Sequence, residues 1–212
     1  MAAANFVITI AREKGSGGNH IARVLSDDLQ IPYYDRDLLR RASEVSGINE
    51  TLFGRADERI GFREMMSAAQ NVYTGEVLPP DSNDFVSTKN LFAFQAKVIK
   101  EMAKTESCII IGRCADFLLS DYPNVFRVFL HAPLEFRKAR VKADHETFSD
   151  REVMKRIHDC DKRRGDYYKY YTGDNWFDAR HFDVSLDTSI LGVDETAKYI
   201  EKLLPMFTGK GA

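Results

Sequence analysis

The chain has 212 residues, enough for one domain with a full core and a smaller mobile part. Its 30 Lys and Arg against 32 Asp and Glu leave a formal net charge of −2, which excludes an overall basic field for nucleic acid and confines any cationic function to a local cluster. No apolar stretch approaches the roughly 20 residues of a membrane span, and residues 1–10 lack the basic start of a secretory leader, so neither membrane insertion nor secretion is expected.

In chain order, an apolar run from Phe6 to Ile10 reads as a strand, Gly15-Ser16-Gly17-Gly18 as a turn, and Ile21 to Leu29 as an amphipathic helix. Tyr33-Tyr34 is a candidate short strand. Asp35 is placed to cap a helix from Arg36 to Ser46 that Gly47 closes. Residues 48–90 break the rhythm: Arg55, Arg59 and Arg63 recur four apart, then Gly75, Pro79-Pro80 and a polar run signal a loop, so a helical insertion followed by a loop is expected. Leu91, Phe94, Val98 and Met102 restore helical spacing, leading into strands at Cys108–Ile111 and Val125–Leu130. A long charged and tyrosine-rich helix spans Ser149 to Tyr171, a last strand Phe182 to Leu186, and a final helix opens at Gly192 or Asp194 and stops at Pro205. Near-continuous apolar strands alternating with helices predict an α/β fold on a parallel sheet. The cysteines, Cys108, Cys114 and Cys160, are odd in number and lack metal-ligand spacing, which fits a reduced, cytoplasmic setting.

Strand, glycine turn and helix N-terminus in that order make an anion cradle, because free N–H groups and the positive end of the helix dipole face the ligand. A nucleotide is therefore the first ligand to consider. When the P-loop template (Gly, four residues, Gly, Lys, Ser or Thr) is laid on residues 12–19, Arg12 falls at the first Gly and Gly17 at the second. Gly18 then stands where Lys belongs and Asn19 where the hydroxyl belongs. The backbone cradle is present and its side-chain chemistry is altered. Arg12 or Lys14 could supply the missing cation, or both could be solvated loop charges. Arg113, after a strand end, could grip a phosphate with its fork or form a surface ion pair. Arg137, Arg140, Lys155, Arg156 and Lys162 to Arg164 could form a cationic clamp or a solvated helix face. Asp35 could hold a metal or an acceptor hydroxyl as well as cap. The histidines lack metal-ligand spacing, Ser16 has no evident His and Asp partners, and Tyr167-Tyr168 with Tyr170-Tyr171 could stack on a base or pack.

The segments ITIAREKGSGGNHIARVLSDDL, IPYYDRDLL, IIIGR, DKRRGDYYKYYTG and DVSLDTS, in that order, resemble the cytidylate kinases, and more closely their cytidylate kinase-like branch. Residues 48–106 match least. The resemblance implies a P-loop kinase-type three-layer fold in a single domain: a five-stranded parallel sheet, an acceptor-binding helical insertion at 36–106 and an arginine-bearing lid at 134–175. It implies ATP and Mg²⁺, with Gly15, Ser16, Gly17, Gly18 and Asn19 cradling the donor phosphates. Asp35, Arg36 and Arg41 fall where an acceptor nucleotide is held, Arg113 in the Gly-Arg motif for its phosphate, and Arg163 and Asp166 near lid and acceptor positions. Arg12, Lys14, Arg137, Arg140 and Arg163 are the candidates to meet the developing charge. The departure is at Gly18 and His20, where the family's enzymes carry Lys and Thr. Two readings follow. One is an ATP-dependent kinase of a CMP- or dCMP-like acceptor, or of another small phosphorylated metabolite, with replaced cations. The other is a nucleotide-binding regulatory module whose degenerate loop does not turn over.

Overall fold

The computed structural model describes residues 5–58 and 73–208. In chain order the elements are β1 (Val7–Arg12), α1 (Gly18–Leu29), β2 (Tyr33–Tyr34), α2 (Asp37–Ser46), α3 (Glu50–Glu58) and α4 (Thr88–Thr105). There follow β3 (Cys108–Ile111), α5 (Ala115–Leu118), β4 (Val125–His131), α6 (Leu134–Asp144), α7 (Asp150–Thr172), a 3₁₀ turn (Ala179–His181), β5 (Val184–Asp187), α8 (Thr188–Leu191) and α9 (Val193–Thr208). The strands form one parallel sheet in the order β2-β3-β1-β4-β5.

Successive side chains of a strand face opposite sides, and the sheet separates two apolar layers on that basis. Ile8 and Ile10 of β1, with Ile109, Phe126 and Val128, pack against Ile21 and Leu25 of α1 and Ile200 of α9. Val7 and Ala11, with Cys108, Ile110 and Phe129, face the other way, onto α2, α3 and α4 and the tyrosine-rich end of α7. Burial on both faces explains why β1 is apolar but for Thr9 before it reaches Arg12. The expected three-layer architecture with a five-stranded parallel sheet is therefore the observed one.

Several boundaries differ from the sequence expectation. β1 runs on to Arg12 because its ladder with β4 continues through Ala11↔Phe129 and Arg12↔Leu130, which carries a charged residue to the sheet's C-terminal edge. Asp35 does not cap α2. Arg36 occupies the cap position without a side-chain bond, while Asp35 is drawn to Arg12 at 3.6 Å and accepts a bond from Asn19 at 3.3 Å. Pro205 does not end α9, which continues to Thr208. A proline near a helix end removes only one backbone donor, and Phe207 holds the last turn by stacking on Phe126 at 4.5 Å.

The segment before α4 is organised by one side chain. Buried Asn90 accepts from the Leu78 N–H at 2.7 Å and donates to the Phe85 carbonyl at 2.7 Å, so the polar loop follows a fixed course. Of the arginines spaced four apart, Arg55 lies in α3, and Arg59 and Arg63 lie outside the described residues. Asn90→Ala should lower unfolding free energy by about 2 kcal/mol, since two buried backbone groups lose their partner. A urea midpoint within error of the parent's would show that the loop holds its course without Asn90.

Candidate active site

The C-terminal ends of β1 and β3, the start of α2, and α6 and α7 enclose an open cleft of about 720 Å³, a size suited to small-molecule ligands. Its lining carries eight arginines and Lys14 against four carboxylates. A concave surface with that balance favours polyanions.

The glycine turn is the floor of one end. Gly15 (φ +87°) and Gly17 (φ +90°) adopt the left-handed region that disfavours side chains. Both are also crowded, since a Cβ would stand 2.7 Å from the Arg137 carbonyl at Gly15 and 2.4 Å from Val193 Cγ1 at Gly17. Ser16 faces inward: its hydroxyl donates to the Glu13 carbonyl at 2.9 Å, and its carbonyl accepts from Thr188 at 2.8 Å. It braces the loop and does not line the cleft. Asn19 lines the cleft beside Asp35.

Gly18 opens α1, and the space above it is taken. A Cβ there would stand 2.7 Å from Arg12 Cγ and 2.8 Å from Arg12 Cβ. The same side chain runs on until its Nη1 lies 2.7 Å from where a Cβ of Gly112 would be. Arg12 thus leaves the end of β1, lies over the glycine at the P-loop lysine position, and ends over the turn that follows β3. Burial, then the nearby charge of Arg164, lowers its pKa to about 9, an effect Arg113 adds to and Asp35 opposes. Its Nε is buried with no hydrogen-bond partner among the described residues.

At the other end, Gly112, Arg113 and Cys114 take φ of +72°, +60° and +53° in succession. Two adjacent non-glycine residues in that region store strain, about 1–2 kcal/mol each, of the kind that collects at functional sites. Arg113 lines the cleft and is itself lowered in pKa by burial. Arg36, Arg140 and Arg163 also line it, as does Lys14, which burial likewise lowers. Arg163 donates to the Asp159 carbonyl and to Cys160 Sγ along its own helix.

Three residues singled out by the sequence lie elsewhere. Arg137 bonds Asp161 at 2.6 Å and approaches Glu13 at 3.5 Å. Asp161 also accepts the Lys14 N–H at 2.7 Å, so Arg137 clasps the glycine loop to α7 rather than lining the cleft. Arg41 bonds Glu106 at 2.5 Å and Tyr34 at 2.6 Å, fastening α2 to the end of α4. Asp166 accepts from Lys162 at 2.5 Å on the outside of α7. Conversely, the cleft contains Arg23 and Asp116, which the sequence reading did not assign to a site, and Arg164 and Tyr167, for which it left a binding and a structural role both open. Arg164 and Tyr167 sat within the recognised DKRRGDYY run, whereas Asp116 gave no local signal.

Asp116 is buried and accepts from the Tyr168 hydroxyl at 2.8 Å. Burial raises its carboxyl to about 6, with the tyrosine bond partly opposing. The folded state therefore holds this proton more tightly than the unfolded chain, and Asp116 lowers stability as pH rises from about 4 to about 6. Asp116→Asn should gain stability relative to the parent across that window, on the order of 3 kcal/mol at pH 7. An offset that stays constant between pH 4 and 7 would contradict the shifted carboxyl.

Among the described residues no three His, Cys, Asp or Glu side chains cluster as a metal site, and no helix is long and apolar enough to cross a membrane. The cytidylate kinase-like family matches residues 7–190. The cytidylate kinase of Methanosarcina acetivorans is 24% identical over 187 residues, covering 85% of this chain and 86% of that protein. A solved structure of an uncharacterized protein from Eubacterium ventriosum ATCC 27560 is 25% identical with a TM-score of 0.68, covering 94% of this chain and 98% of that one. A gluconokinase from Sinorhizobium meliloti 1021, 12% identical with a TM-score of 0.50 over 98% of each chain, shares the fold alone. The strand, glycine turn and helix of the cleft, the parallel sheet beneath them and a match over most of the chain place this protein in the cytidylate kinase-like family.

Proposed function

We propose that this chain is an ATP- and Mg²⁺-dependent phosphotransferase acting on a small phosphorylated acceptor, with a pyrimidine nucleoside monophosphate as the first candidate. The observation that carries the proposal is the course of Arg12. A P-loop without its lysine reads as a spent cradle, but here the lysine position is a glycine beneath an arginine stem, so a cation still reaches the cleft. The name of the Methanosarcina relative motivates the choice of acceptor.

Donor phosphates fit the cradle, because Arg12 Nε beside it is buried without a hydrogen-bond partner among the described residues. In this reading the backbone N–H groups at the start of α1 hold the donor, and Arg12 meets the transferring phosphoryl group. Arg113 and Arg36 grip the acceptor phosphate, and Lys14, Arg140 and Arg163 neutralise charge from the loop and the α6–α7 side. Asp35 and Asn19 are the oxygen-bearing side chains beside the cradle that could hold Mg²⁺, most of whose ligands would be phosphate oxygens and water. Bound there, Mg²⁺ would neutralise donor oxygens. A phosphate monoester is largely dianionic near neutral pH, so the attacking oxygen needs no general base, and none is assigned. The barrier is lowered by position and by cations, as phosphoryl transfer requires.

The test is ADP release from Mg-ATP against CMP, dCMP, UMP, AMP and small phosphorylated metabolites, with the product identified by mass. Acceptor-dependent ADP release is expected. Nucleotide binding by calorimetry without product from any acceptor would favour the regulatory module instead. Arg12→Ala should lower kcat by about 10²- to 10³-fold while leaving the melting temperature nearly unchanged, and undiminished kcat would remove Arg12 from the reaction. Arg113→Ala should raise the acceptor KM and leave ATP affinity as it was, so an unaltered acceptor KM would take Arg113 out of the acceptor site.

A further inference from the structure

The C-terminal end of α7 carries four tyrosines, and the fold uses them differently. Tyr168 gives its hydroxyl to Asp116 at 2.8 Å, and Tyr171 gives its hydroxyl to the Thr88 carbonyl at 3.2 Å while stacking on Phe92 at 3.8 Å. Tyr170 is buried against Tyr171. Tyr167 alone of the four both lines the cleft and has a buried hydroxyl without a hydrogen-bond partner among the described residues.

An unsatisfied buried hydroxyl lowers stability, and such groups in a native fold call for an explanation. The ring cannot easily swing away to find water. It packs edge-on against the stacked pair of Phe92, at 6.0 Å, and Tyr171, at 4.7 Å. Its surroundings are chemically one-sided, because burial holds the phenol well above its ordinary pKa while the charge of Arg113 pulls the other way. The hydroxyl therefore stays protonated and is available to donate. Arg12 Nε is a second buried donor in the same cleft without a partner among the described residues. Two fixed donors with no protein acceptor, in a cleft rich in guanidinium groups, fit an oxyanion that arrives from outside.

We infer that Tyr167 is a substrate-contacting residue whose hydroxyl donates a hydrogen bond to the phosphate of the phosphorylated acceptor, beside Arg113. The inference rests on the phosphotransferase reading for the identity of the oxyanion. Tyr167 then shares the acceptor phosphate with Arg113, and its bond forms only when the acceptor is in place.

Tyr167→Phe separates this from a structural role, because it removes one oxygen and keeps the packing. The melting temperature of the free protein should stay level or rise, since the lost hydroxyl had no partner. The acceptor KM should rise about tenfold, as expected for a hydrogen bond to a charged group, with ATP affinity by calorimetry unchanged. Inorganic phosphate titrated into the chain saturated with AMP-PNP should also bind about tenfold more weakly to the variant. A turning-over parent whose variant shows the same acceptor KM and the same phosphate affinity overturns the inference. A lowered melting temperature with unchanged KM overturns it too, and assigns the hydroxyl to a buried water. Weakened phosphate binding in a chain that never turns over supports an oxyanion contact and overturns the phosphotransferase reading instead.

Discussion

The Arg12 side chain runs across two backbones that carry no side chains, its stem over Gly18 at the head of α1 and its guanidinium over Gly112 after β3. That single fit ties together the three parts of the cleft. It requires β1 to run one residue beyond its apolar core, so that Arg12 pairs with Leu130 at the sheet's edge. It requires glycine at the position where a P-loop carries lysine, since any side chain at 18 would meet the Arg12 stem. It brings one cation to both the glycine turn and the turn that holds Arg113. The glycine at 18 and the arginine stem above it are therefore one steric arrangement.

Buried like charges must be held in place by something else. Arg164 donates to the Arg12 carbonyl at 2.8 Å, and the depressed pKa of Arg12 reflects burial and its cationic neighbours. The restraint comes from α7. Asp161 accepts both the Lys14 N–H and the Arg137 guanidinium, and Glu13 completes the clasp by accepting the Ala132 N–H at 3.2 Å. The loop, α6 and α7 are thus joined by a part-buried ionic knot, and breaking one partner of such a pair leaves an uncompensated charge. These bonds fix α7 against the loop. The same helix delivers Arg163, Arg164 and Tyr167 to the cleft, so its docking sets the spacing of several cleft side chains together.

Much of this was legible in the sequence where the signal is local. The strand at Cys108–Ile111, the two-residue strand at Tyr33–Tyr34 and the Gly47 helix end follow from apolar runs and a glycine with φ +72°. The mismatch at Gly18 was visible, but its cause was not, because Arg12 reaches it through space from the preceding strand. Asp35 looked like a helix cap for the same reason: nothing nearby in sequence announces Arg12 and Asn19 as competing partners. Arg41 and Arg137 have the charge of binding residues, yet Glu106 and Asp161 claim them first. The burial of Asp116 and of the Tyr167 hydroxyl depends on which neighbours the fold brings together, and residue type carries no record of that.

In the proposed phosphotransferase, the cation that a P-loop carries at position 18 is supplied by Arg12. Steady-state phosphotransfer by Gly18→Lys, Arg12→Gly and the double exchange tests it directly. Each single change should cut kcat by about 10²-fold or more, one by colliding with the Arg12 stem and the other by removing the cation, while the double exchange recovers activity to within about tenfold of the parent. A double exchange no more active than Arg12→Gly alone, or an Arg12→Gly chain that turns over normally, would contradict it.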